Sequence, residues 1–294
     1  MSYARLVPTL AAAGVCLTAL GAAGVADAAS TAGTPRPPAR YRVVISPELA
    51  APDGADTRGT VRCPTGTVPL GGGAIVSSSS TRASVGSSFP SGRTWNGDIK
   101  NASGAATTFQ VEVICAKRPK GYTVIRGAAN VPNPVGSQAR AVATCPGRTM
   151  PLGGGGTSNA FSSFVNMNRT GPKGRSWIVK ENNASGVGAE LTAVAVCGKM
   201  KGYRVIQGRA FAVPANGQKG GSAVCTGHTV PIGGGALTTS KSLGVNVGGT
   251  IPSGDRWDSA LASACVSLPF AGSAAWKASS RARAASMPAR RPPR

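Results

Sequence analysis

The 294-residue chain is poor in the side chains that enzymes use for acid and base chemistry. It has one histidine, His228, and 10 Asp and Glu residues against 32 Lys and Arg residues. General acid–base and paired-carboxylate mechanisms depend on these scarce residue types. A Ser-His-Asp set could use only Asp255 or Asp258 beside His228, and no nucleophile elbow accompanies them. The sequence therefore predicts a protein that is not an enzyme and has no catalytic residues, with a hydrolase as the remote alternative.

Patterns that bind metals or cofactors are also missing. The sequence has no Cys-x-x-Cys pair, no His-x-x-His pair and no acidic glycine-rich calcium loop. Its glycine-rich stretches lead into sequences typical of strands, and no Lys-Ser or Lys-Thr follows them as it does in a phosphate loop. We therefore predict no metal and no cofactor, and we interpret these glycines as structural.

Aromatic residues are few, whereas positive charge is abundant. Aromatic side chains make up 5% of the chain, and the net charge is +22 at pH 7. Modules that bind nucleic acids combine clustered basic charge with aromatic stacking residues, so nucleic acid is not the expected partner. Diffuse positive charge favours salt-sensitive attachment to anionic surfaces. An anionic cell-surface polymer or glycan is the predicted partner, with a protein partner as the alternative.

The N-terminal residues have the pattern of a secretory signal peptide. Arg5 precedes an apolar run over 7–25, and Ala26-Asp27-Ala28 fits a small-x-small cleavage site. We predict a signal peptide over 1–28, a linker over 29–40 and a secreted mature chain that has no integral membrane segment and associates with the cell surface. A retained N-terminal anchor is the alternative.

The mature chain contains one unit three times. Tyr41-Arg-Val-Val-Ile, Tyr122-Thr-Val-Ile and Tyr203-Arg-Val-Ile begin 81 residues apart, and in each unit a tryptophan follows the first cysteine by 32 residues. Constant spacing of this kind indicates a tandem triplication. We predict repeats over 41–121, 122–202 and 203–265, the third shortened, and a disordered basic tail over 266–294. The repeated positions to which we assign structural roles are Tyr41, Tyr122, Tyr203, Gly71, Gly72, Gly73, Gly153, Gly154, Gly155, Gly233, Gly234, Gly235, Trp95, Trp177 and Trp257.

Each repeat has the pattern of short strands. In the stretch FQVEVIC at 109–115 every second residue is apolar, and the cysteine shares the apolar face. Such runs, separated by clusters of Gly, Ser, Asn and Pro, predict an all-β fold in which each repeat is a small antiparallel sandwich or barrel. No stretch of the mature chain shows a convincing helical period.

Six cysteines remain once Cys16 is assigned to the signal peptide. An exported chain meets an oxidising environment, so three disulfides are expected. Several pairings are open in principle, and the triplication favours one bridge within each repeat. The predicted bridges are Cys63–Cys115, Cys145–Cys197 and Cys225–Cys265.

The repeated motif has a counterpart in other proteins. Cys-Pro-x-Gly, an aliphatic residue and Gly-Gly-Gly are followed by Pro-Ser-Gly, Trp and an alternating strand that ends in Cys. This order resembles repeats of poorly characterised exported proteins of high-GC Gram-positive bacteria, the Actinobacteria. The resemblance covers 41–265 and weakens after Trp257, where a change of reading frame is an alternative origin of the irregular ending. It implies an exported repeat protein and no particular activity.

These observations favour a secreted, non-catalytic binding or structural protein of the cell exterior. Three units would give multivalent attachment to an anionic surface or glycan through the loops between the glycines and the tryptophan. In the second repeat the loop residues to inspect are Phe161, Phe164, Asn166 and Arg169. A secreted inhibitor or toxin component that acts on a protein partner is the alternative.

Overall fold

The computed structural model describes residues 37–226, 229–263 and 270–272. These residues form antiparallel β-sheets, and none of them is helical, so the all-β class is confirmed. The predicted signal peptide, most of the linker and most of the tail lie outside the described residues. The strands of the described residues are β1 (Arg42–Ile45), β2 (Leu49–Ala51), β3 (Asp56–Arg62), β4 (Val68–Val76), β5 (Ala83–Ser91), β6 (Thr94–Asn101), β7 (Thr107–Ala116), β8 (Thr123–Arg126), β9 (Val131–Asn133), β10 (Ser137–Thr144), β11 (Met150–Ser158), β12 (Val165–Lys173), β13 (Ser176–Asn183), β14 (Ala189–Gly198), β15 (Phe211–Val213), β16 (Gly217–Val224), β17 (Val245–Ser253), β18 (Arg256–Ser263) and β19 (Phe270–Gly272).

The strands are arranged in four sheets. The strand order is β1-β7-β4-β17-β18-β16 in sheet A, with β2 also paired to β7, and β3-β6-β5-β11-β14-β8 in sheet B, with β9 also paired to β14. Sheet C has the order β10-β13-β12, and sheet D consists of β15 and β19.

The first two repeats each place two groups of strands face to face. In the first repeat, β3, β6 and β5 pack against β7 and β4 around Trp95, which is fully buried. In the second, β10, β13 and β12 pack in the same way against β14 and β11 around Trp177. The alternating residues Phe109, Val111 and Val113 face the first core, because successive side chains of a strand point to opposite faces.

Two of the three predicted disulfides are present. Cys63–Cys115 and Cys145–Cys197 join the two layers of their repeats, with Cα atoms 5.6 and 5.5 Å apart. Cys225 forms no disulfide with another described cysteine. Its predicted partner Cys265 lies outside the described residues.

Strand pairing also joins the three repeats to one another, which the sequence left open. In sheet A, β4 of the first repeat pairs with β17 of the third, and in sheet B, β11 of the second pairs with β5 of the first. A bridge between Ala236 and Thr170 joins the third repeat to the second. Each repeat is therefore hydrogen-bonded to both others, through strand pairs or through this bridge. Sequence periodicity predicts the strands and their apolar faces. It does not predict which segment of the chain pairs with the edge strand of a sheet.

The first glycine of each Gly-Gly-Gly triplet lies where the three repeats meet. A Cβ atom at Gly71 would lie 2.5 Å from the Cα of Gly233, one at Gly233 would lie 2.8 Å from the Cα of Gly153, and one at Gly153 would lie 2.6 Å from the Cα of Gly71. The three contacts close a cycle. Only residues without a side chain allow three backbones to approach this closely.

The second and third glycines have different neighbours. A Cβ at Gly72, Gly154 or Gly234 would lie 2.5–2.6 Å from the indole ring of the tryptophan in the same repeat. A Cβ at the third glycine would overlap a backbone carbonyl of the neighbouring repeat. These third-position overlaps are Gly73 with Thr250, Gly155 with Ser88 and Gly235 with Thr170. In all three triplets the glycines therefore allow close packing against another backbone or a tryptophan ring.

The tyrosines that begin the repeats also contact a neighbouring repeat. Each phenol donates a hydrogen bond to the carbonyl of the proline that precedes a glycine triplet. Burial raises the pKa of Tyr122 and of Tyr203 to about 12. The bonds are Tyr41 to Pro231 (2.8 Å), Tyr122 to Pro69 (3.0 Å) and Tyr203 to Pro151 (2.8 Å).

Each repeated tryptophan has the same polar partner. Its indole N–H donates to a hydroxyl on the preceding strand, as expected for a buried Trp. The pairs are Trp95 with Ser88 (2.9 Å), Trp177 with Thr170 (2.9 Å) and Trp257 with Thr250 (2.6 Å).

The tail differs in part from the expectation. Residues 270–272, which belong to the segment predicted to be disordered, form β19 and pair with β15 in an antiparallel register. The other residues of 266–294 lie outside the described residues, so disorder there stays a prediction.

Candidate anion-binding site

Three cationic side chains stand side by side on neighbouring strands of sheet C. Arg140 of β10 is directly opposite Lys180 of β13, and Lys180 is directly opposite Arg169 of β12. Cβ atoms of residues opposed in this way are about 4.5–5.5 Å apart. Lys241 of the third repeat lies close enough for its charge to lower the pKa of Lys180. We call these four residues the cationic cluster.

Strand alternation and one β-bulge place these side chains on the same face. Trp177 and Val179 face the core, so Lys180, the next residue in the alternation, faces away from it. In β12, regular alternation would put Arg169 on the core face with Met167. A bulge between Met167 and Arg169 inserts an extra residue, Asn168, and turns Arg169 to the outer face.

The cluster has no carboxylate to neutralise it within the part of the chain that the structure describes. The ion pairs found there are Arg58 with Asp98 and Arg256 with Asp255, and neither includes a member of the cluster. Burial, and then the charge of Arg140, lowers the pKa of Arg169. The Nε of Arg169 is buried and has no hydrogen-bond partner among the described residues.

Lys180 experiences the repulsion of all three other cations. Burial lowers its pKa, and the charges of Arg169, Arg140 and Lys241 lower it further, in that order. Like charges directly opposite one another on neighbouring strands destabilise a sheet. The arrangement therefore costs folding stability and favours any anion that comes between the side chains.

The same positions carry different residues in the other two repeats. In the first repeat, Arg58 is opposite Asp98 and Asp98 is opposite Ser87, again beyond a bulge. Arg58 Nε donates to Asp98 Oδ1 at 2.7 Å, so that repeat contains its own counter-ion. In the third repeat the three positions are Gly220, Ala260 and Gly249. Only the second repeat thus combines cations at all three positions.

A row of amides next to the cluster determines where Lys241 lies. The side-chain carbonyl of Asn182 accepts hydrogen bonds from the side-chain amides of Gln138 (2.8 Å) and Asn168 (3.0 Å). The side-chain amide of Asn182 donates to the backbone carbonyl of Val245 (2.7 Å). Gln138 also donates to the carbonyl of Ser240 (3.2 Å). These bonds attach residues 240–245 of the third repeat to sheet C, and that segment brings Lys241 to the cluster.

The loops between the glycines and the tryptophan, which the sequence predicts to carry ligands, are hydrogen-bonded to neighbouring repeats. The Gln218 amide binds the Ser80 carbonyl of the first repeat (2.7 Å), and buried Lys100 binds the Ala160 carbonyl of the second (2.6 Å). With the bond from Gln138 to Ser240, each loop between the glycines and the tryptophan accepts a hydrogen bond from another repeat. The loops therefore have a structural role between repeats.

The four loop residues singled out from the sequence are separated in the structure. Arg169 belongs to the cluster, and Asn166 is buried in the amide row beside it. Phe161 and Phe164 lie on the segment before β12 and are 89% and 51% exposed. Arg82 of the first repeat is 6.0 Å from the centre of the Phe164 ring.

Sequence reasoning did not single out Arg140, Lys180 or Lys241. The signal for two of them was present, because the second repeat has nine Lys and Arg residues against two acids. Lys180 also replaces Asp98 when the repeats are aligned on their tryptophans. Lys241 could not be placed, since its position depends on contacts between repeats.

The residues weighed for catalysis do not form a described site. His228 lies outside the described residues, while Asp255 is exposed and Asp258 is buried. Among the described residues no group of three or more His, Cys, Asp or Glu side chains could hold a metal ion. No helix in the described part of the chain has the length and apolar character needed to span a bilayer.

No protein-family model and no curated protein matches the chain.

Proposed function

We propose that the protein is a secreted, non-catalytic binding protein of the cell exterior that attaches to an anionic polymer or glycan through the cationic cluster. The observation that carries this proposal is the juxtaposition of Arg140, Lys180 and Arg169 on adjacent strands, without the counter-ion that Asp98 provides in the first repeat. A phosphate, sulfate or carboxylate group of the ligand takes the place of that carboxylate. The two disulfides are compatible with an extracellular location.

The side chains of the cluster suit an oxyanion. Guanidinium groups bind phosphate and carboxylate through two parallel charge-assisted hydrogen bonds, and an ammonium group adds a compact charge. Arg140 and Lys241 are exposed, and Arg169 and Lys180 are half-buried, so the ligand reaches the cluster from solvent. The partly buried cations supply the stronger interaction, because charges are screened less where water is displaced.

Binding relieves the repulsion within the cluster. An anion that contacts Lys180 and Arg169 opposes the effects that lower their pKa values. Each chain then offers one strong site in the second repeat, and the remaining positive charge adds weak contacts along a polymer. Several chains bound to one polymer would provide the multivalency that the sequence suggested.

Lys180→Asp is the variant that tests this proposal. It recreates in the second repeat the Arg–Asp pairing of Arg58 with Asp98, so we expect affinity for inorganic polyphosphate and for polygalacturonate to fall at least about tenfold at low salt, which corresponds to about 1.4 kcal/mol. Equilibrium binding of both polymers to the mature protein, at low salt and again at high salt, measures the change and separates phosphate from carboxylate ligands.

The matched control is Lys173→Asp. Lys173 is an exposed cation at the end of β12, and the substitution changes the net charge by the same amount. We expect it to weaken binding by less than about twofold, because exposed charges are screened. Equal losses in the two variants would assign the binding to diffuse charge and contradict a site at the cluster.

We also propose that the three repeats unfold as one cooperative unit. The pairing of β4 with β17 and the hydrogen bond from Tyr41 to Pro231 join the first repeat to the last. The glycines that would collide if they carried side chains lie between repeats. The cluster depends on this association, since Lys241 belongs to the third repeat.

A further inference from the structure

Exposed apolar side chains are concentrated at one end of the second repeat. The described residues include eight exposed large hydrophobic side chains, and half of them lie here. Exposed apolar groups that stand together, in contrast to scattered ones, mark interaction sites. The exposed fractions are 89% for Phe161, 51% for Phe164, 55% for Val135 and 64% for Val187.

Three loops meet at Asn183, the last residue of β13. The backbone carbonyl of Asn183 accepts a hydrogen bond from the N–H of Gly136 (2.9 Å), the residue after Val135. The side-chain amide of Asn183 donates to the carbonyl of Val187 (2.9 Å). The N–H of the next residue in the chain donates to the carbonyl of Phe164 (2.9 Å). We call these loops, residues 134–136, 160–164 and 184–188, the apolar end.

The segment that carries Phe161 is held in place on both of its sides. Buried Lys100 of the first repeat donates to the carbonyl of Ala160 (2.6 Å). The side-chain amide of Asn159 donates to the Glu190 carboxylate (3.1 Å), and its side-chain carbonyl accepts from the N–H of Glu190 (2.8 Å). The Phe161 side chain therefore projects into water from a bonded segment and gains little burial within the chain.

The first repeat forms the same three loops. The backbone carbonyl of Asn101 accepts from the N–H of Gly54 (2.8 Å), and the side-chain amide of Asn101 donates to the carbonyl of Ala105 (2.8 Å). The N–H of the residue after Asn101 donates to the carbonyl of Arg82 (3.0 Å). The two repeats thus share the backbone arrangement at this end.

The side chains on these loops differ between the repeats. In the third repeat, Lys241 and Gly244 stand at the positions of Phe161 and Phe164. The loops therefore form without apolar tips, and the exposed side chains of the second repeat point to a contact outside the chain. Aligned on the first cysteine, the counterparts of Val135, Phe161, Phe164 and Val187 in the first repeat are Asp53, Ser79, Arg82 and Ala105.

Positive charge borders the apolar end. The guanidinium of Arg82, an exposed residue, is 6.0 Å from the centre of the Phe164 ring. Lys180 of the cationic cluster precedes Ala184 by four residues, which is about 13 Å along a strand. The carboxylate nearest in the chain to this segment, that of Glu190, is engaged by Asn159. An apolar tip beside cations suits a partner that is apolar inside and anionic at its surface.

We propose that the apolar end inserts into the interfacial region of an anionic lipid bilayer. Phe161 and Phe164 enter the boundary between head groups and acyl chains, and Arg82 lies at the level of the lipid phosphates. Loop tips suit a fluid surface that closes around them, and apolar burial combined with attraction between cations and anionic lipids drives such binding. This contact goes beyond the proposed polymer binding, because it depends on side chains outside the cationic cluster.

Phe161→Ser tests the insertion, because it places in the second repeat the residue that the first repeat has at Ser79. The variant should bind vesicles of equal parts phosphatidylcholine and phosphatidylglycerol at least about tenfold more weakly than the wild-type mature protein, since a buried phenylalanine side chain is lost. Its thermal unfolding should be unchanged, because Phe161 is exposed. Flotation of the protein with the vesicles measures the binding.

Ile45→Ser is the matched control. Ile45 is also an exposed hydrophobic residue, but it lies on β1 in sheet A, and neither substitution changes the net charge. We expect it to leave vesicle binding unchanged. Equal losses in the two variants, or a wild-type protein that does not bind the vesicles, would overturn insertion of the apolar end.

Polyphosphate binding separates this proposal from the polymer site. Phe161→Ser should bind inorganic polyphosphate as the wild-type protein does, whereas Lys180→Asp tests the cluster. If Phe161→Ser weakens polyphosphate binding as much as vesicle binding, Phe161 belongs to the polymer site and a separate lipid contact is refuted. A protein that binds vesicles but not polyphosphate would support the lipid contact and contradict the polymer site.

Phe161→Trp gives a direct measure of depth. This variant should retain vesicle binding, and lipids with brominated acyl chains should quench its added fluorescence, with the wild-type protein as background. Ile45→Trp is the control, and its added fluorescence should not be quenched. Equal quenching in both variants, or none in Phe161→Trp, would overturn the insertion. The repeated tryptophans are buried and so are shielded from the lipid: Trp95, Trp177 and Trp257.

Discussion

Replacing Gly73 with alanine is expected to lower the free energy of unfolding by about 4 kcal/mol or more. The new Cβ would overlap the carbonyl oxygen of Thr250, which belongs to β17 of the third repeat. A backbone carbonyl within a sheet cannot move away as a flexible side chain can. The two strands must therefore separate, and overpacking of this kind belongs to the most destabilising class of single substitutions.

Chemical denaturation of the mature protein measures this effect. Gly155→Ala should have a similar effect, because its Cβ would overlap the carbonyl of Ser88 on β5. The matched control is Gly186→Ala, where a Cβ has open space around it and a change within about 0.5 kcal/mol is expected. Similar losses in Gly73→Ala and Gly186→Ala would contradict the close approach of β4 and β17. A single unfolding transition in the wild-type protein would support one cooperative unit.

The glycine triplets illustrate how far sequence reasoning reached. The strand-like residues after them predicted structural glycines in place of a phosphate loop. What each glycine contacts could not be predicted, because the first faces two other repeats, the second faces a tryptophan and the third faces a neighbouring backbone. Of these partners, only the tryptophan belongs to the same repeat as the glycine.

The disulfides, too, could be predicted where both partners belong to one repeat. Cys63–Cys115 and Cys145–Cys197 were predictable, since alternation puts each second cysteine on the core face and both partners belong to one repeat. The bridge between Cys225 and Cys265 stays a prediction, because Cys265 lies outside the described residues.

The candidate site was only partly accessible from the sequence. Arg169 was among the loop residues chosen in advance, and the substitution of Asp98 by Lys180 between repeats was visible. A regular strand would have buried Arg169 beside Met167, so the bulge that turns it outward had to be observed. Asn166 and Arg169 were expected in a loop and lie on a strand, whereas binding of a ligand through the loops stays a prediction.

The second large expected effect is a pH dependence of stability caused by the carboxyl group of Glu112, which has no counterpart in the second repeat. Glu112 is 5% exposed, its Oε2 has no hydrogen-bond partner among the described residues, and Val194 stands at the matching position. Burial, with a smaller contribution from the charge of Asp258, raises the pKa of Glu112 from 4.5 to about 7. The folded protein therefore holds a proton that the unfolded chain releases above pH 4.5.

This difference makes stability fall as pH rises between about 4.5 and 7, because the folded state binds more protons than the unfolded state in that interval. A shift of this size corresponds to about 3 kcal/mol. Glu112→Gln should accordingly stabilise the protein by about 3 kcal/mol above that interval and change its stability little below it. Urea unfolding at a pH on each side of the interval measures this, with Glu48→Gln as the control at an exposed glutamate. The charge of Asp258 contributes to the raised pKa of Glu112, so in the Asp258→Asn variant stability should begin to fall at a lower pH than in the wild-type protein. If Glu112→Gln keeps the pH dependence of the wild-type protein, the assignment to Glu112 is refuted.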